Sequence, residues 1–399
     1  IQTKIIAKVD LATVKDFLPL AKGESYSGLL DANIEIKGKM SAIEKEDFEA
    51  FTAKGSVLLS QVIYESTDLP VALELNKVKF TFSPRNLTLN DMNAKMGNSD
   101  FNMNGTIDNY LGYLLRDESL RGNFKFNSSF LDLDQLMAYS EIAEEENSTS
   151  GNSDETGASE PLLIPGNIDF QLASDIKRTR YNGMEMKNIQ GNIRLKDETA
   201  HLDNLTMNAL GGKVGLKGSY NTKDHTKPKL NFGYRLDNVD IQQLTKNFLT
   251  VEKLAPIAKF AFGDISSSFD MTTDLTGSFE PILSSLSSIG DINSNNITIK
   301  GFKNLEKLES LTKLKNISNQ TLNNFKTKFK VKDGKISVTP FTIKLGEIST
   351  EVSGYTTLDQ QMDYTLKMNV PKDQLPKDII KEVEGLLSKA NALVQIVNI

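Results

Sequence analysis

The sequence predicts a mainly β protein: an elongated, strongly twisted antiparallel sheet of repeated modules, each a short helix followed by a strand meander, together forming a groove. Three observations predict it. Apolar and polar residues alternate along almost the whole chain, two short phrases recur in the same order at long spacing, and tight-turn dipeptides separate the alternating runs.

The alternation is clearest at Ile34-Glu35-Ile36, Val78-Lys79-Phe80-Thr81-Phe82, Ile168-Asp169-Phe170-Gln171-Leu172, Phe269-Asp270-Met271 and Phe325-Lys326-Thr327-Lys328-Phe329-Lys330-Val331. Successive side chains of a strand point to opposite faces, so period two means one apolar face and one wet face. A parallel α/β sheet, covered on both sides, would read as near-continuous Val, Ile and Leu instead. Asn182-Gly183 and Asp333-Gly334 fall between runs and predict two-residue hairpins.

The first recurring phrase is hydrophobic-Asp-Leu/Ile, at Val9-Asp10-Leu11, Leu131-Asp132-Leu133 and Val239-Asp240-Ile241. Each copy leads into a short helical pattern, which the aspartate is placed to cap. A glycine then opens a strand at Gly28, Gly166 and Gly263. The second phrase, a glycine-bounded alternating strand, runs Gly97 to Gly105, Gly211 to Gly218 and Gly346 to Gly354. Modules of roughly 110 to 120 residues result, far longer than a solenoid rung or propeller blade.

The expected organisation is a first β module at 1–120, a second at 121–228, a third at 229–371 and an amphipathic helix at 372–399. Residues 141–160 are Glu, Asn, Ser, Thr and Gly with scarcely an apolar residue, and predict a disordered acidic loop. Residues 301–316 predict a helix carrying Phe302, Leu305, Leu308, Leu311 and Leu314, a spacing of three that drifts around the axis, so it either breaks near Ser310-Leu311-Thr312 or is covered on several sides. Ile380, Val383, Leu387 and Val394 lie on one broad stripe of the last helix, whose default partner is the protein's own sheet.

Composition narrows function by exclusion. Charged residues make up 25% and the net charge is -6, which disfavours nucleic acid as a partner. The longest apolar runs are far short of the roughly 20 residues that cross a bilayer. Cysteine is absent, and His201 and His225 are the only histidines, so thiol chemistry, thiolate metal sites and Ser-His-Asp catalysis find no material. No phosphate-binding loop or other catalytic motif is present; no catalytic residue, metal or cofactor is expected, and the chain reads as a non-enzyme. The chain starts at Ile1 without an apolar leader, so any anchor is expected upstream.

One region carries a family resemblance. Phe262-Gly263-Asp264-Ile265, Phe269 to Gly277 and Gly290-Asp291-Ile292 are followed by Phe329-Lys330-Val331-Lys332-Asp333-Gly334, by Gly346 to Gly354, and by Met362-Asp363-Tyr364 to Pro371. Together these resemble the C-terminal region of the AsmA family, over roughly residues 237–371; the earlier modules resemble it more loosely. The resemblance implies a Gram-negative envelope protein with a periplasmic part, held in the inner membrane by an N-terminal helix absent from this chain. It also implies a role in outer-membrane assembly or lipid homeostasis, with relatives such as TamB looking like bridge-type lipid carriers. The implied partners are phospholipid or another acyl-chain lipid, the inner membrane, and other envelope proteins.

An apolar strand face suits that role, because each buried methylene is worth about 0.8 kcal/mol and a sixteen-carbon tail about 12 kcal/mol. The candidate lining residues are Phe80, Phe82, Phe170, Leu172, Phe269, Met271, Phe329 and Val331. The alternative is a structural or partner-binding envelope protein whose apolar face is filled by its own helices; an enzyme on a β scaffold ranks last.

Overall fold

The period-two pattern folds as it reads. The computed structural model describes residues 2–13, 24–39, 51–66, 69–137, 162–248, 251, 255–276, 280–312, 317–345, 348–357 and 361–370. The acidic segment 141–160 and the C-terminal helix expected at 372–399 lie outside the described residues. Strands make up 72% and helices 11%, so the protein is mainly β. It divides into two units: Ile1–Met207 with Ser219–His225, and Asn208–Gly218 with Thr226–Ile399.

The first unit is a meander of β1 (Gln2–Asp10), β2 (Ser25–Gly38), β3 (Phe51–Ser66), β4 (Leu69–Phe82), β5 (Asn86–Met96), β6 (Ser99–Asp108) and, after helix α1 (Tyr110–Arg116), β7 (Leu120–Ser128). Each of these strands pairs antiparallel with the next. The two-residue β8 (Leu131–Asp132), β9 (Ile168–Tyr181), β10 (Met184–Lys196) and β11 (Thr199–Ala209) complete it. β9 pairs antiparallel with β10 but parallel with β7 and β8, the one departure from the antiparallel expectation in this unit. Parallel neighbours need a long crossover. The 39 residues from Ser129 to Asn167 supply it, and a two-residue hairpin could not.

The second unit contains most of β12 (Gly212–Asn221), then β13 (Lys229–Asp240), α2 (Ile241–Asn247), a 3-10 turn (Pro256–Phe260), β14 (Ala261–Asp274), β15 (Ser287–Ile299) and α3 (Lys303–Thr312). It closes with β16 (Gln320–Lys332), β17 (Lys335–Leu345), β18 (Ile348–Thr357) and β19 (Met362–Asn369). From β13 to β19 every strand pairs antiparallel with the next. α3 is described as far as Thr312, and the rest of the helix expected at 301–316 lies outside the described residues.

Each of the three repeated aspartates caps the turn or helix on its C-terminal side. Asp10 Oδ1 accepts from the Ala12 N–H at 3.0 Å, Asp132 Oδ1 from Gln135 at 3.2 Å, and Asp240 Oδ1 from Gln243 at 2.7 Å. The paired glycines agree in two copies of three. Gly28 and Gly263 have φ of 115° and 122°, and a Cβ on either would lie 2.6 Å from the Gln61 carbonyl oxygen or 2.5 Å from that of Asn296. Only glycine fits both the dihedral and the space. Gly166 instead lies in the turn before β9, so the middle copy departs from the pattern. Both expected hairpins are left-handed at both turn positions, Asn182 (50°) with Gly183 (71°) and Asp333 (51°) with Gly334 (71°), as a type I′ turn requires.

Long strands do not keep strict alternation to their ends. In β13 burial passes from Leu236 to Val239, three residues on, with Asn238 left-handed at φ 51°. β16 makes the same step between Leu322 and Phe325 at Asn324 (φ 53°), and β3 makes it beside Gln61 (φ 52°). Each step reverses the phase of the sequence pattern so that the same face stays apolar; in β13 and β3 it is a one-residue bulge that shifts the register, and in β16 the register with β15 is kept. Asparagine is a favoured non-glycine residue for this conformation.

The parallel crossover is pinned by carboxylates. Asp132 is fully buried. Its carboxylate pairs with the Arg180 guanidinium and accepts from Asn98 Nδ2 at 3.2 Å. Asp134 receives the Asn182 and Gly183 N–H groups of the β9–β10 turn, and Asp100 receives the Ser129 and Phe130 N–H groups at 2.9 and 2.7 Å. Removal from water pushes the Asp132 carboxyl up, but the hydrogen bonds from Asn98, the Gln135 N–H and Arg180 outweigh it and hold its pKa below the ordinary carboxylate value. Asp100 is lowered in the same way, desolvation being outweighed by the Ser129 and Phe130 N–H groups.

Carboxyls with depressed folded pKa stabilise above the unfolded value and lose that contribution as pH falls through the folded one. Thermal midpoint is therefore expected to hold down to about pH 4 and to fall below it, with the acid limb flattened in Asp132→Asn. At neutral pH Asp132→Ala is expected to cost about 2–3 kcal/mol, read by denaturant unfolding, since it strands a half-exposed arginine and orphans several donors.

Candidate functional site

Strand register converts the alternating residues into continuous rows. In the first unit Ile34 of β2 lies opposite Gly55, Gly55 opposite Phe82, and the row continues through Leu87, Ile107, Gly122, Phe170 and Leu195. A second row, two residues along the strands, joins Ala32, Val57, Phe80, Leu89, Gly105, Phe124, Leu172 and Ile193 by the same pairings. Both rows lie on one face of the sheet and cross eight strands, a span of about 34 Å at ~4.8 Å per strand. Phe82 and Phe170 thus share one row, and Phe80 and Leu172 share the next.

The second unit repeats the arrangement. Tyr234, Phe269, Gly290, Phe329, Val338, Gly354 and Tyr364 form one row across seven strands. Phe232, Met271, Ser288, Val331 and Ile336 form the adjacent one. Of the eight expected lining residues only Val331, 8% exposed, is buried; the other seven are half-buried.

The face is built from aromatic rings laid over glycines, a feature that alternation of apolar residues alone does not reveal. A Cβ on Gly122 would lie 2.1 Å from the Phe170 ring, on Gly105 2.4 Å from Phe124, and on Gly290 2.3 Å from Phe329. The vacant space lets rings from neighbouring strands lean toward one another: Tyr234 and Phe269 stack at 5.3 Å, Phe269 and Phe329 at 6.0 Å, and Phe124 meets Phe170 edge-on at 6.2 Å. Such pairs add about 0.5–1.5 kcal/mol beyond area burial. The signal is present in Gly122-x-Phe124-x-Phe126, where glycine occupies an apolar phase. Burial, helped by the Asp291 charge, pushes the Tyr234 phenol up, against a weak hydrogen bond shared with Ser267 that lowers it.

In the second unit one end of this face is covered. Ile241 from α2, with Ala261, Ile297, Ile299 and Leu322, forms a buried cluster against which Phe260, Phe302 and Leu305 pack. Ile317, Leu345, Ile348, Met368 and Val370 form a neighbouring cluster that also receives Leu305. The rows through Phe269 and Phe329 contribute no residue to either cluster.

The opposite face is polar, with cross-strand ion pairs such as Lys54–Glu35 at 3.4 Å and Lys196–Asp169 at 2.9 Å. Exposed pairs of this kind contribute ~0–1 kcal/mol each, so they serve solubility more than stability. Among the described residues no group of His, Asp and Glu side chains is arranged to hold a metal ion, and no helix is long and apolar enough to cross a membrane. Comparison with known protein families, curated proteins and solved structures finds no match.

The glycine–ring contacts are open to a double-mutant cycle. Gly290→Ala is expected to cost about 1–2 kcal/mol by overpacking against Phe329, and much less in a Phe329→Leu background. Denaturant midpoints of the four proteins measure the coupling.

Proposed function

We propose that the chain is the periplasmic part of an AsmA-like envelope protein and holds or passes lipid acyl chains along the apolar faces of its sheets. In this reading it performs no chemistry and needs no cofactor. It is held at the inner membrane through a segment outside this chain and works in outer-membrane assembly or lipid homeostasis. The observation that carries the reading is the pair of apolar rows crossing eight strands, in which Leu89 is buried, Ile193 is exposed and the other side chains are half-buried. An ordinary sheet core would bury its phenylalanines fully, whereas an incompletely covered apolar strip of this length retains contact area for a guest. A methylene chain matches it because the strip offers continuous apolar contact and no polar group to fix an orientation.

A second reading is favoured at one place. Where Ile241, Phe302 and Leu305 cover the end of the second unit's face, the protein's own helices fill the apolar surface, as a structural or partner-binding protein would require.

The two readings separate in one series. Phe82→Asp, Leu172→Asp, Phe269→Asp and Phe329→Asp each place an uncompensated charge in a row, at a cost of several kcal/mol to any acyl chain laid along it. Native mass spectrometry of the purified protein is expected to find phospholipid or fatty acid in the parent and at least tenfold less in the variants, with thermal midpoints lowered by only a few degrees. Val331→Asp, at a buried position, is expected to unfold the protein. A lipid-free parent, with every variant unfolding as Val331→Asp does, would leave the helix-filled structural reading.

A further inference from the structure

The polar face of the first unit carries a depression of about 560 Å³ over β6, β7, β9 and β10. Its floor is Ala173, a small side chain in a neighbourhood of long ones. Around it stand Asn104, Asn123, Lys125, Gln171, Asn192 and Arg194, with the Asp203 carboxylate of β11 also in its lining. Register places them in two rows, Asn123–Gln171–Arg194 and Asn104–Lys125–Ala173–Asn192, on the face opposite Phe124 and Leu172.

These polar side chains are unspent. Some amides of the sheet bond to one another or to carboxylates, as Asn76 does to Asn93 at 2.9 Å and Asn102 to Asp100 at 3.0 Å, while others such as Asn127 have no such bond among the described residues. Around Ala173 the side chains of Asn104, Asn123, Lys125, Gln171 and Asn192 have no hydrogen bond or ion pair among the described residues. Arg194 reaches Asp203 at 3.7 Å through one terminal nitrogen, while its Nε is shielded from water and has no partner.

We infer that this depression binds an oligosaccharide carrying acidic groups. Amide side chains offer a donor and an acceptor side by side, the complement of paired hydroxyls. Their repetition every ~4.8 Å across strands suits a polymer with polar groups along its length. Lys125 and Arg194 add two cations for carboxylate or phosphate substituents, Arg194 through the terminal nitrogens of its guanidinium, one of which also faces Asp203. Two cations in a chain of net charge -6 are too few for a nucleic-acid backbone. The site is separate from the apolar rows and does not depend on their holding lipid.

The test is a glycan array containing neutral and uronate- or phosphate-bearing oligosaccharides, probed with the parent, Ala173→Trp and Arg194→Met, each checked for an unchanged thermal midpoint. Acidic oligosaccharides are expected to be retained by the parent, lost in Ala173→Trp, whose indole fills the floor, and weakened at least tenfold in Arg194→Met. If Ala173→Trp fails to fold, Asn192→Leu takes its place, with the same loss expected. Retention of no glycan overturns the inference. So does equal retention of neutral and acidic glycans, equal retention by parent and variants, or full displacement by inorganic phosphate at the concentration of the glycan, which would make the site a simple anion contact.

Discussion

The constraint on which the rest depends is phase: in each unit, every strand must keep its apolar residues on one face from end to end. A slip of one residue turns the whole apolar set to the opposite side. The protein meets this by inserting phase-reversing steps where the alternation would drift, with Asn238, Asn324 and Gln61 adopting left-handed conformations. In the first unit the result is an uninterrupted face across eight strands, and in the second one across seven. The half-exposed rings, the covered end and the polar reverse side all stem from that choice of face. Glycines in phase with the rings belong to the same device, since removing a side chain at Gly122 or Gly290 gives the neighbouring ring room to lie across the strand boundary.

The phase constraint also explains what can be read from the residues alone. Phe80, Phe82, Phe170 and Leu172 are recognisable as one face because their strands alternate without interruption there, and register brings them into two shared rows. The aspartate caps are legible because capping is local, needing only a side-chain oxygen two or three residues before an N–H. The rows themselves are not legible. Which strand lies beside which depends on register, and register in the parallel crossover is fixed by contacts among Asp100, Asp132, Asp134 and Arg180, which are far apart in sequence. The bulges hide in the same way, since a broken alternation reads as the end of a strand rather than its continuation.

Cover of the apolar face obeys a different logic from its construction. At one end of the second unit, helices and a 3-10 turn bring Ile241, Phe260, Phe302 and Leu305 down onto the sheet, and the residues beneath them are buried to the extent of a normal core. Along the rows through Phe269 and Phe329 the rings stay half-buried, with their stability drawn from one another rather than from a second layer. The two environments demand different responses to a charge: collapse where a layer covers the face, and, under the proposed lipid-carrying function, loss of the acyl chain where it does not. The polar reverse face, held by ion pairs of small worth, is free to vary without disturbing either.

The absence of cysteine from the chain makes one measurement direct. Single cysteines introduced at successive positions from Asp169 to Ile176 in β9 can each carry a nitroxide, and the accessibility of each label to oxygen and to a water-soluble nickel chelate can be compared before and after addition of a spin-silent lysophospholipid. The account predicts period-two alternation, with labels at positions 170, 172 and 174 losing nickel accessibility on lipid addition while those at 169, 171, 173 and 175 remain unchanged. Labels on both faces that respond equally, or an apolar face whose accessibility is the same with and without lipid, would contradict it.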